Sequence, residues 1–286
     1  MALDNTRLQC GIELSEVTGQ ITLSGLHDGQ RLYAKGQLQL DQATFHGQPF
    51  KNLQAGVSLT SEEILLSQFQ GTLHGGKIQG EIRVNFTSSM NFTVDMLGQQ
   101  IDLAPLMQAA LGRSTEVRGK LEARMLLSGS GGDLRSLRGQ GRVRVEEGAR
   151  IYDVPLILDL INHFSRHLPK NTSFQEAEAH FDVAGEQLKI NRLLLSSAAL
   201  TLRGQGEMKA NGTDLNLEMY GVPYGRAVPL LPPLIDRIPP TISKQLMKIR
   251  LRGSLAKVQI TTEPLPAVVE PIVDMFRTFS EPPGKP

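Results

Sequence analysis

The stretch Gly139–Leu160, GQGRVRVEEGARIYDVPLILDL, changes hydrophobic period at its centre. Val143 and Val145 alternate with Arg142, Arg144 and Glu146, the pattern of a strand with one apolar face. A turn is expected at Gly148, and Asp153 and Pro155 break the alternation. Leu156, Ile157, Leu160, Ile161 and Phe164 then recur at helical spacing. Asp153 is expected to begin this helix, with Pro155 in its first turn, where a missing N–H costs little. On either side the chain is almost entirely strand-like, so a short helix interrupts a long run of sheet.

Moving outward, alternation returns repeatedly. Leu8, Cys10, Ile12 and Leu14 read as one strand face, as do Leu32, Ala34, Leu38 and Leu40, and then Leu53, Ala55, Val57 and Leu59. Leu65, Phe69 and Leu73 follow, then Ile78, Ile82, Val84 and Phe86, and after a polar turn Phe92, Val94 and Met96. A first helix is expected over Leu103–Leu111, with Leu103, Leu106, Met107, Ala110 and Leu111 on one side and Gly112 as its C-cap. Leu121, Ala123, Met125 and Leu127 then alternate with charged neighbours, as do Ala177, Ala179, Phe181 and Val183. Asn211-Gly212 marks a hairpin between Leu200–Leu202 and the return strand of Leu215, Leu217 and Met219. Val222–Pro240 is proline-rich and reads as an apolar loop; two strands follow it, and Leu265–Phe279 carries helical spacing.

Alternating strands with one apolar and one wet face point to a mainly β, antiparallel sheet, since buried parallel strands carry continuous apolar runs. Two regions are expected: residues 1–100 as an N-terminal β region, and 101–286 as a C-terminal β region with a helix near 154–168 and closing strands. On the strands just described, Leu121, Ala123, Met125 and Leu127 are expected to share one face with Val143, Val145, Ala179, Phe181 and Val183. Arg124 and Arg144 should then point to solvent.

Composition narrows the function. The chain of 286 residues has 30 basic and 29 acidic side chains, a formal net charge of +1, so nothing draws it to nucleic acid. It has no Trp and only 5% aromatic residues, which disfavours base-stacking platforms. Cys10 is the single cysteine and can form no internal disulfide. No run of about 18 apolar residues is present to cross a bilayer as a helix. The opening MALDNTRLQC has neither a basic nor an apolar signal segment and reads as the start of a strand within a longer protein.

Chemistry-bearing patterns are sparse. His163 and His167 have metal-compatible i, i+4 spacing, yet no H-E-x-x-H frame or third ligand accompanies them, and a solvent-side pair is the simpler reading. Ser128–Asp133 has glycines but no Lys-Ser/Thr after them, so it is a hairpin loop and not a phosphate loop. No G-x-S-x-G elbow occurs, and Glu146 and Glu147 face opposite sides of a strand. No cofactor, metal or catalytic residue is therefore expected.

Four segments carry a family resemblance. Arg118–Asn162, RGKLEARMLLSGSGGDLRSLRGQGRVRVEEGARIYDVPLILDLIN, resembles the C-terminal region of the AsmA-like family, which is related to the TamB and YhdP envelope proteins. The correspondence is a strand ending at a Gly-rich turn (Leu121–Gly132), a G-x-G-x-hydrophobic strand (Gly139–Val145), and a turn into x-Pro-hydrophobic and a helix (Tyr152–Leu160). Ile101–Gly112 resembles the family's preceding short helix, and Ser196–Met219 and Leu251–Pro264 its closing strands. The resemblance covers residues 70 to 265 well and the first 70 loosely; the family's N-terminal membrane anchor is absent from this chain. It implies a curved sheet forming an open hydrophobic groove, on the periplasmic side of a bacterial envelope and anchored to the inner membrane in a full-length protein. It also implies phospholipid as cargo, a role in outer-membrane biogenesis, and membrane or envelope proteins as partners at either end. The alternative is a structural β-scaffold for envelope assembly without lipid transport.

Overall fold

The computed structural model describes residues 2–9, 13–29, 31–45, 47–86, 90–131, 133–146, 149–151, 154, 156–164, 173–198, 200–223, 247–255 and 257–264. Fifteen strands form one antiparallel sheet whose spatial order equals the chain order. They are β1 (Ala2–Gln9), β2 (Glu13–His27), β3 (Leu32–Phe45), β4 (Gln48–Thr60), β5 (Glu63–Leu73), β6 (Gly76–Asn85), β7 (Asn91–Asp102) and β8 (Lys120–Ser130). After a 3-10 turn at Leu134–Ser136 come β9 (Arg138–Val145), β10 (Glu176–Ala184), β11 (Gln187–Ser196), β12 (Leu200–Lys209), β13 (Leu215–Pro223), β14 (Met247–Ser254) and β15 (Lys257–Pro264). The sheet is open: β1 and β15 are its two edges and do not pair with each other. The mainly β, antiparallel architecture expected from alternation is the one observed, with two short helices.

The first helix, α1 (Leu103–Leu111), has the bounds that its spacing indicates. Leu, Met and Ala favour helix, and Pro105 sits in the first turn, where no N–H is needed. Gly112 ends it in the left-handed region (φ 66), donating its N–H to Gln108 O at 2.9 Å. Leu103 is buried and Leu106 and Met107 pack against the core, whereas Ala110, expected on the same side, is exposed. The second helix, α2 (Ile157–Phe164), buries Ile157 and Leu160. Asp153, Pro155 and residues 165–168 of the expected 154–168 span, His167 among them, lie outside the described residues. So do Cys10, Ile12, the proline-rich segment beyond Pro223 and the tail from residue 265.

Two strand readings need correction. Leu8 and Leu14 do not share one strand; they close a hairpin, paired across β1 and β2. In β5, Leu65 pairs with Arg83 on the polar face, while Leu66 pairs with Ile82 and joins Phe69 and Leu73 on the apolar face. The cause is a β-bulge between Leu66 and Phe69, where Gln68 adopts φ 51 and the alternation loses one step. The same device recurs with Asn5 on β1, Glu16 on β2, Asn52 on β4 and Gln100 on β7, each a polar residue at positive φ beside a register shift. Bulges bend and twist the strand that carries them, so these five are local sources of curvature.

The two rims of the sheet differ. At one rim the hairpin loops are bonded to one another in succession: Leu32 N to Ser61 Oγ (2.8 Å), Phe86 N to Glu62 O (2.6 Å), Gly131 N to Met90 O (2.6 Å) and Gly185 N to Leu137 O (2.7 Å). Ala210 N to Glu186 O and Leu255 N to Gly212 O, both 2.8 Å, continue the row. The Gly212 loop is the hairpin marked by Asn211-Gly212, here spanning Ala210–Asp214. At the opposite rim α1 and α2 connect strands, and the core gathers there in two clusters. One holds Leu40, Leu53, Phe69, Ile78 and Ile101 of the earlier strands; the other holds Val145, Leu160, Phe174, Leu202, Met219, Ile249 and Leu251. Leu106 and Leu121 pack against both, close to the 100/101 division, and the β7–β8 ladder continues past that division after the register shift between Gly98 and Ile101.

Candidate functional site: an apolar strip beside a closed rim

All nine residues singled out on β8, β9 and β10 lie on one face. The register stacks Leu121, Val145 and Ala177 in one row, then Ala123, Val143 and Ala179, then Met125, Gly141 and Phe181, then Leu127, Gly139 and Val183. Paired residues of antiparallel strands point the same way, so these rows are the floor of one apolar surface. The two glycines shape it. A Cβ at Gly141 would stand 2.4 Å from Phe181 Cζ, and one at Gly139 2.8 Å from Leu127 Cδ2. The G-x-G pair is thus the hollow in which Phe181 and Leu127 lie down. That role was not visible in the sequence, because the residues filling the hollow are 12 and 40 positions away.

Exposure divides the nine. Val145 is buried at 7%, in the core cluster with Val117 and Ala149 near the closed rim, while the other eight are half-buried. The same gradient runs along the sheet: toward the hairpin rim Val57, Leu66, Ile82, Val94, Met96 and Met125 are half-buried, while Leu53, Phe69, Ile78 and Ile101 near the helices are buried. The strip from β4 to β10 is therefore apolar yet uncovered. From β12 to β14 the face is filled, with Leu202, Met219, Ile249 and Leu251 at 0% exposure. Seven strands leave six gaps, and at about 4.8 Å each the open strip measures roughly 29 Å across the strands.

The opposite face is mainly polar, with charged side chains on most strands. Arg124 and Arg144 are exposed there, as alternation requires, with Arg144 3.4 Å from Glu176 and Arg124 3.9 Å from Asp95. Glu178 is the exception in being buried, with its side chain 8% exposed. Burial alone would raise its pKa, but the hydrogen bond with His180 (2.6 Å) and the charges of Arg142 (3.4 Å) and Arg192 outweigh it and hold the carboxyl below its ordinary value. Farther along, burial opposes the charging of Glu218, yet Lys248 at 2.7 Å and the Tyr220 hydroxyl lower its pKa; the Lys248 ammonium also lies 5.7 Å from the Tyr220 ring centre. These groups are ion-paired across neighbouring strands, an arrangement that fastens a sheet.

Among the described residues no group of three or more His, Cys, Asp or Glu side chains is placed to hold a metal ion. Two shallow hollows, of about 330 and 440 Å³, lie mainly over the polar side chains near Leu126 and near Gln70. Both are wide open to solvent and enclose little, and the extended apolar strip on the other face is the more distinctive surface. No described helix is long and apolar enough to cross a membrane.

Comparison with family models, with curated proteins and with solved structures yields no significant match.

Proposed function

We propose that this chain is a non-enzymatic, AsmA-like element of a bacterial envelope that holds phospholipid acyl chains along its apolar strand face. The observation that carries this reading is the half-buried strip from β4 to β10, apolar in every row and uncovered over roughly 29 Å. An acyl chain in water costs about 0.8 kcal/mol per CH₂, so a carrier must offer apolar contact along the chain's whole length, as this strip does. A bilayer's hydrocarbon core is about 30 Å thick and contains two chain lengths, so the strip has room for one chain lying across the strands. The polar face, with its interstrand ion pairs, meets water. Placement on the periplasmic side, attachment to the inner membrane through a longer protein, and partners at either end follow from the family resemblance.

A test follows from the geometry. Met125 and Val143 face the strip and pack against neither core cluster. Met125→Asp with Val143→Asp places carboxylates against any bound chain, at a desolvation cost of several kcal/mol. Wild type and variant are purified gently and extracted with organic solvent, and phospholipid per protein is measured while circular dichroism verifies folding. Lipid near one equivalent or more in wild type and near background in the variant is the expected result. Background lipid in a folded wild type would leave the scaffold reading, which the filled face of β12–β14 favours.

A further inference from the structure

Six large apolar side chains remain exposed among the described residues, and four of them stand at the hairpin rim. Leu26 (81%) and Tyr33 (47%) face each other across the β2–β3 hairpin, and Phe86 and Met90 (39% each) flank the β6–β7 hairpin. The rim bonds fix their hairpins to the next ones, through Leu32 to Ser61, Phe86 to Glu62 and Met90 to Gly131. Phe86 and Met90 also continue the apolar rows of Val84 and Phe92, so the uncovered strip runs out to the rim without a polar step. At the first hairpin, Lys35 lies 5.4 Å from the Tyr33 ring centre, an aromatic and a cation side by side, as suits the boundary between hydrocarbon and headgroups.

We infer that the hairpin rim around Leu26, Tyr33, Phe86 and Met90 docks on the surface of a phospholipid bilayer, with the apolar tips inserted among the headgroups. Leu26 and Tyr33 stand on the polar face of the sheet, whereas Phe86 and Met90 continue the strip, and that continuity gives docking its purpose: a chain leaving the bilayer slides over Phe86 and Met90 onto the sheet without crossing water. This purpose rests on the lipid-holding reading; the docking itself does not. Asp28, Glu62, Arg31 and Lys35 place both signs of charge along this rim, so apolar insertion carries the contact and a zwitterionic surface suffices.

The test is co-sedimentation of the intact chain with phosphatidylcholine vesicles, in low and in high salt. Wild type binds, and binding survives salt, because apolar insertion is not screened. Leu26→Ser with Phe86→Ser lowers the partition coefficient about tenfold or more. Leu126→Ser, which removes another exposed leucine (42%) from the polar face away from the tips, leaves it unchanged. Absence of wild-type binding, loss of binding in salt, or an equal effect of Leu126→Ser would each overturn the inference. The outcome is separable from lipid holding. A wild type that carries extractable phospholipid but ignores vesicles defeats the rim alone, and one that binds vesicles without carrying lipid supports the rim while defeating the trough.

Discussion

Phe181 lies over a position where any side chain would collide with it. A Cβ at residue 141 would come within 2.4 Å of Phe181 Cζ and 2.7 Å of Cε2, so the ring must lift toward the open strip. Gly141→Ala is expected to cost about 1–3 kcal/mol through this crowding, read from the urea midpoint. Adding Phe181→Ala should recover part of that loss, a positive coupling between contacting sites. Glu178 gives a second prediction at this scale. Its folded pKa is depressed below the ordinary 4.5, so its contribution is complete above that pH and is lost as pH falls through the lower, folded value. Wild-type stability should therefore drop on acidification below pH 4.5, and Glu178→Gln should show a shallower drop, by at most about 1.4 kcal/mol per pH unit for one proton. Parallel stability curves for the two proteins would show that Glu178 is not the titrating group.

Among the elements, α2 is the seal of the closed rim. Leu160 is fully buried in the cluster that includes Leu202, Met219 and Ile249. Leu160→Ala should cost about 2–5 kcal/mol, measured by thermal or urea unfolding. How much of this was legible can be judged element by element. The bounds of α1 were readable because Pro105, the apolar spacing and Gly112 all agree at its ends. The shared face of Leu121–Leu127, Val143–Val145 and Ala179–Val183 was readable because β8, β9 and β10 pair without a bulge along those rows. Leu65 was misplaced because a bulge at Gln68 shifts the phase, and glutamine carries no local signal for positive φ. Val143 and Val145 are the same residue type on the same face of the same strand. Only the packing of the second of them into the cluster with Leu103, Val117 and Leu160 makes one core and the other lining, and that packing is tertiary.

At the scale of the whole molecule, every strand bonds only to the strands before and after it in the chain. The strand-to-strand part of its stability is close to a sum over neighbouring pairs, as in repeat proteins, with α2 adding contacts to the later strands, so no single strand closes the structure. Length then becomes a quantity that can be edited in steps of two. Removing β5 and β6 (Glu63–Asn85) would bring the end of β4 to the start of β7, both at the hairpin rim, with strand direction and apolar face preserved. Removing one strand would instead reverse the direction of all that follow. The excised chain of thirteen strands should fold cooperatively, checked by circular dichroism and urea titration, and be shorter by roughly 10 Å across its strands in small-angle scattering. Aggregation of that chain would show that β5 and β6 make contacts beyond their neighbours. Duplicating or deleting a hairpin is a small genetic event, so a sheet built this way can be fitted to the distance it must span without redesigning either end.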